Sequence, residues 1–226
     1  MSTSVGKNDA TAPRKDTYHH GDLRTALLAA ARELVNERGL DGFGLREVSR
    51  RAGVSHTAVY NHFASRSALV ETLVVEAFDA LTEALQQAGS GVADPLQRLI
   101  EIGVAYVRFA YARPAEFRFM FRPELCSGAS AANPEPLLTS SRASYEPLKS
   151  GIADCLAAGA LVGDPDLLAL IAWSGVHGLA SLIVDGPLRE DALDMAAVER
   201  LARGVVSSLF GTDAAHAVHS RQAGPS

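Results

Sequence analysis

Val54-Ser55-His56-Thr57-Ala58-Val59-Tyr60-Asn61-His62-Phe63 reads as a short helix with a cap, a buried side and a polar side. Ser55 stands where an N-cap belongs, its hydroxyl able to satisfy amides left unpaired in the first turn. Val59 and Phe63, four apart, share one face and pack the helix inward. That leaves His56, Thr57, Tyr60 and Asn61 pointing outward. Just upstream, Leu45, Val48 and Ala52 recur at helical spacing, so the segment Leu45 to Ala52 buries one face of its own. Gly53 between the two supplies the left-handed backbone that stops a helix within one residue. Two short helices at a tight turn, the second carrying exposed hydrogen-bonding side chains, make a helix-turn-helix whose second helix suits a major groove.

Outward from this motif, the charge is divided. The 226-residue chain has a net charge of -5, which read globally argues against a nucleic-acid partner. Residues 1–70, however, hold 10 Lys and Arg against 7 Asp and Glu, while the remainder holds 11 against 19. The motif therefore lies in a stretch of net +3, and the acidic excess lies elsewhere. The two cysteines, Cys126 and Cys155, have no metal or redox spacing and read as free thiols of a reducing cytoplasm. No apolar signal segment opens the chain. Leu167 to Val184 has no charged residue and nears the length of a membrane span, but an all-round apolar helix is equally a buried one, and a buried helix is expected.

The rest is helical in pattern. A first helix runs from about Asp22 to Arg38, with an apolar stripe of Leu23, Leu27, Ala30, Leu34 and Val35 and a stop at Gly39. Ser65 caps a long helix from about Arg66 to Ala88, broken by Gly89-Ser90-Gly91. Asp94-Pro95 opens the next helix, which Pro114 is expected to end. The aromatic run Phe117 to Phe121 follows, then a loop from Cys126 to Pro136. Helices are expected over about 137–158, 165–185 and 194–210. With about nine helices and no strand alternation, the expected fold is all-α, a three-helix head joined to a helical bundle.

Gly39-Leu40-Asp41-Gly42-Phe43, Tyr60-Asn61-His62-Phe63 and Ala64-Ser65-Arg66-Ser67-Ala68-Leu69 resemble, in order and spacing, the DNA-binding domain of the TetR family of transcriptional regulators, over about residues 20–75. Arg66 stands where that family usually has Lys, and Gly44 stands where it commonly has a Ser or Thr cap. Trp173-Ser174-Gly175-Val176-His177-Gly178 is similar to the signature of the Trp-His-Gly type of C-terminal domain found in some members. The resemblance implies an arm at 1–17, a DNA-binding domain at 18–79, an effector-binding and dimerisation domain at 80–211 and a tail at 212–226. It implies that Tyr60, His62 and Arg66 hold phosphates, that Arg46, His56, Thr57 and Asn61 approach base edges, and that Ser55 starts the reading helix. Arg46 is the best placed for a bidentate grip on guanine.

For the second half, a pocket between the helix at Leu99 to Phe109, the aromatic run and the Trp173–His177 face is expected to hold a small apolar effector. Its candidates are Phe109, Phe117, Met120, Phe121, Trp173 and His177. His177 reads more readily as a core histidine bonded to a carbonyl, with ligand contact as the alternative. Arg108, Arg113, Arg118 and Arg122 read as a solvated face, with an acidic effector as the alternative. Ala172, Gly175 and Ala180 would let helices of two copies approach. No nucleophile elbow, zinc-protease motif, Walker loop or dinucleotide fingerprint is present, so neither catalysis nor a cofactor is expected. The reading is a cytoplasmic homodimeric repressor on palindromic double-stranded DNA, released by a small molecule, with no membrane partner. The alternative is an architectural or partner-regulated DNA-binding protein whose second half only dimerises.

Overall fold

The computed structural model describes residues 20–39, 43–122, 135–191 and 193–211. The expected arm and tail, the loop after Cys126, and Leu40, Asp41 and Gly42 of the resemblance lie wholly or mostly outside these residues. Among the described residues there are nine α-helices, one 3-10 turn and no strand.

Three helices form the head: α1 (His20–Arg38), α2 (Leu45–Arg51) and α3 (His56–Tyr60). Gly53, at φ 69°, makes the turn between α2 and α3. Leu27, Leu34, Val48, Val59 and Phe63 close the core of the head. Burying a side chain such as Val59 or Phe63 contributes about 1.5–3 kcal/mol, enough to set a five-residue helix that could not persist alone.

The head is continuous with α4 (Arg66–Gly89), capped by Ser65, which accepts from the Ala68 amide. This helix passes unbroken through residues 79 and 80, so the expected domain boundary falls inside one continuous element. Its inward face (Leu69, Leu73, Phe78, Leu81, Leu85) meets α1 at one end and the bundle at the other.

The bundle is built around α5 (Pro95–Ala112), which packs on α4, α7 (Glu135–Ala157), α8 (Pro165–Val184) and α9 (Met195–Phe210). Asp94, Asp164 and Asp194 each cap the following helix by accepting from an amide three residues on. Pro114 differs from expectation. It ends α5 but also opens α6 (Pro114–Met120), because proline fits the first turn of a helix as well as it breaks an existing one. The aromatic run is therefore mostly helical, with Phe117, Phe119 and Met120 buried.

By length and composition α8 could cross a membrane. In the fold it is a bundle helix, with Ala169, Ala172, Val176 and Ala180 buried and Leu167, Leu170, Ile171 and Leu182 exposed. The small residues expected to serve a second copy are spent inside the chain. A Cβ on Gly175 would lie 2.5 Å from Leu209 of α9, so glycine there permits the α8–α9 crossing. Ala172 and Ala180 are themselves almost fully buried.

Candidate DNA-reading head and effector cavity

In the head, Ser55 accepts from the Ala58 amide and starts α3 as expected. The α2 N-cap is Gly44, which offers no side-chain bond, so α2 begins on backbone contacts alone. His56, Thr57, Tyr60 and Asn61 are all exposed on α3 or at its C-cap, and Arg46 is exposed on α2. Tyr60 is 49% exposed, and its ring meets His56 edge-on at 5.0 Å, so the two present one polar surface. His62 is half-buried at the end of this face.

Arg66 is engaged behind that surface. Its Nε donates to the Phe43 carbonyl at 3.0 Å and its guanidinium lies 5.1 Å from the Phe43 ring centroid. It therefore pins the start of α4 to the residues that lead into α2. Arg51 does the same between α2 and α1, with both terminal nitrogens on Glu37 at 2.8 and 2.6 Å and a further bond to Glu33. The bond from Arg51 holds the Glu37 carboxyl below its ordinary range. Glu47 takes both Arg38 and Arg50, and its pKa is lowered chiefly by the Arg50 bond.

A second site lies in the bundle. A cavity of about 620 Å³ is bounded by α4, α5, α7, α8 and α9 and by Phe121 just after α6. Of the candidates from sequence, Phe121 and Trp173 line it. Phe109, Phe117 and Met120 are buried but do not line it, and His177 stands behind Phe121 and Trp173, in ring contact with both. Two walls that sequence reasoning did not foresee come from α4 (Phe78, Leu81, Leu85) and α7 (Ser141, Tyr145, Leu148).

His177 belongs to a polar thread within an aromatic cluster. Tyr106 Oη and His177 Nδ1 are 2.8 Å apart, within hydrogen-bond distance. The neutral imidazole pairs with the phenol through Nδ1. Burial supports this, since it lowers the His177 pKa and raises that of Tyr106. Phe117, Phe121 and Trp173 surround the imidazole at ring distances of 5.4, 4.7 and 5.7 Å.

Three of the arginines first read as a solvated face are tied into the bundle. Arg108 pairs with Glu199 at 3.1 Å, Arg113 with Glu116 at 3.3 Å and Arg118 with Asp185 at 2.6 Å. Cys155 is a buried free thiol whose pKa burial pushes up, while Cys126 lies outside the described residues. Among the described residues no group of three or more His, Cys, Asp or Glu is placed to hold a metal.

Two family models match the chain. The one described as bacterial regulatory proteins, tetR family, covers residues 27–73, and the one described as a tetracyclin repressor-like C-terminal domain covers residues 99–209. A curated relative, the HTH-type transcriptional activator FasR of Mycolicibacterium smegmatis, is 33% identical over 100 residues. That match takes in 44% of this chain and 46% of the relative, so it spans less than half the length of that protein. Among solved structures, a protein of unknown function from Rhodococcus sp. RHA1 superposes with a TM-score of 0.74 at 31% identity, over 87% of this chain and 97% of that one. The TetR family regulator PfmR of Thermus thermophilus gives 0.63 at 22% identity, over 81% and 96%. FadR of Bacillus subtilis in complex with stearoyl-CoA gives 0.66 at 14%, over 83% and 97%. The last two likenesses are of fold alone.

Proposed function

Because the chain belongs to the TetR family of DNA-binding transcription regulators, we propose that it is a cytoplasmic repressor whose hold on a palindromic operator is loosened by a small, largely apolar effector. The observation that carries this reading is the placement of α4. Its first residue, Arg66, is bonded into the head behind α3, and its Phe78, Leu81 and Leu85 form a wall of the cavity. A molecule that displaces this wall displaces the head with it.

Phosphate contacts from Tyr60, His62 and Arg66 set register, while Arg46, His56, Thr57 and Asn61 read bases. The exposed apolar stripe on α8 (Leu167, Leu170, Ile171, Leu182), with Leu201 on α9, serves as the face for a second copy. Two copies would set the reading helices about 34–36 Å apart, or a multiple of it. The effector-free alternative is disfavoured by the cavity itself, since an apolar void lowers stability and a domain that only dimerises gains nothing from one.

The effector can act only through a difference in affinity for the operator-bound and released forms, and the linkage is reciprocal. The test takes an operator selected from random duplexes and measures its affinity with and without ligand, then ligand affinity with and without operator. A matched coupling of about 5–150-fold is expected. One relative is named an activator, and the sign of the operator effect separates that mode from repression. A ligand that binds tightly and leaves operator affinity unchanged would sink the proposal.

A further inference from the structure

The cavity's chemistry is uneven, and the unevenness specifies a ligand. Its inner wall is hydrocarbon: Phe78, Leu81, Leu99, Phe121, Val176 and Val206. Three of the four hydroxyls on the wall are already bonded within the protein, and Tyr145, beside Asp166, is the fourth. Tyr106 Oη is paired with His177 Nδ1, Ser141 Oγ donates to the Leu138 carbonyl at 3.1 Å, and Ser144 Oγ donates to the Ser141 carbonyl at 2.8 Å. A polar group buried against these three would compete with an existing bond, at a cost in affinity.

The mouth, between α7 and α8, is different. Four charged side chains line it: Arg142, Glu146 and Lys149 on α7 and Asp166 on α8. Glu146 and Lys149 pair with each other at 3.8 Å. Asp166 stands on the facing helix beside Tyr145, whose pKa is raised by burial and then by that carboxylate. Arg142 is exposed and, among the described residues, has no hydrogen bond or ion pair. The mouth thus has an unspent cation on the α7 side and a carboxylate on the α8 side.

Resting on the effector reading above, we infer that the ligand is an anionic amphiphile, a hydrocarbon chain filling the cavity with its acidic head against Arg142. Guanidinium offers a planar fork that matches a carboxylate or a phosphate. The chain needs no polar substituent, and the head has to sit on the α7 side, away from Asp166. A neutral or cationic head of the same chain gains nothing at Arg142.

Trp173 is the single tryptophan of the chain and lines the cavity, so its fluorescence reports occupancy. The full-length protein is titrated with dodecanoate, dodecyl phosphate, dodecan-1-ol and dodecylammonium, as wild type and as Arg142→Glu. An exposed ion pair implies that at least one anion binds about fivefold tighter than the alcohol, and the tighter anion identifies the head as carboxylate or phosphate. In Arg142→Glu that advantage is lost while the alcohol binds as before. Equal binding of all four heads, or an advantage that survives in Arg142→Glu, overturns the head-group assignment and leaves the apolar cavity standing. No Trp173 response to any of the four chains overturns this inference and the effector reading together.

Discussion

Glu76 and Phe78 stand two residues apart on α4 and face different halves of the molecule. Glu76 pairs with Arg32 of α1 and lies 4.0 Å from Arg24, whose guanidinium in turn sits 5.2 Å from the ring centroid of Phe63 at the end of the reading motif. Phe78 faces the cavity and meets the Phe121 ring edge-on at 5.9 Å. A shift of Phe78 therefore moves the carboxylate that α1 is held by. Glu76→Gln should cost little stability, at most about 1 kcal/mol for so exposed a pair, yet should shrink the ligand's effect on operator affinity. The check is the ratio of operator affinities with and without ligand, alongside Trp173 titration to show that binding persists. An unchanged ratio would mean that coupling runs elsewhere.

In the head, the proposed base-reading residues are distinct from those that support the helices. Arg46→Ala should relax preference at one operator position, losing about 1–3 kcal/mol there. Ser55→Ala removes the α3 cap and should cost about 1 kcal/mol of stability while weakening every sequence alike. Competition among single-base operator variants distinguishes the two patterns. Arg66→Ala is a poor probe of phosphate contact, because it also releases the Phe43 carbonyl and ring.

How far the chain could be read depended on how local the signal was. Ser55, Gly53, Asp94, Asp164 and Asp194 act on backbone groups within three residues of themselves, so caps and turns could be placed from sequence. Pro114 could not be read fully, because the same ring closes one helix and starts another. The cavity was half legible. Trp173 and Phe121 stood out as aromatics beside apolar helices, but the α4 and α7 walls depend on which helices cross, and Ser141, Arg142 and Tyr145 look like any solvated face. Gly175 was assigned to a second copy when its neighbour is Leu209 of the same chain, a choice that periodicity cannot make.

Dimerisation should depend on the exposed stripe rather than on the buried one. Leu182 is 45% exposed, and Leu182→Arg should give a folded monomer that binds operator poorly. Val206 is 2% exposed and lines the cavity, so Val206→Arg should unfold the bundle and says nothing about association. Sedimentation velocity with circular dichroism separates the outcomes. A Leu182→Arg protein that remains dimeric would move the interface off this face.

The last expectation concerns pH and His177. Its neutral form pairs with the Tyr106 hydroxyl, and burial lowers its pKa below the ordinary 6.5. The unfolded chain therefore takes up a proton at a pH where the folded chain does not. This contribution to stability is complete above the unfolded value and declines as pH falls through 6.5 toward the lowered folded value. Below that point both ring nitrogens carry protons, so Nδ1 can only donate to the Tyr106 oxygen. His177→Asn keeps an acceptor near Nδ1 but cannot titrate. Between about pH 7 and about pH 5, the thermal midpoint of the wild type should fall further than that of His177→Asn. Parallel midpoint curves for the two proteins would show that His177 carries no pH-dependent stability.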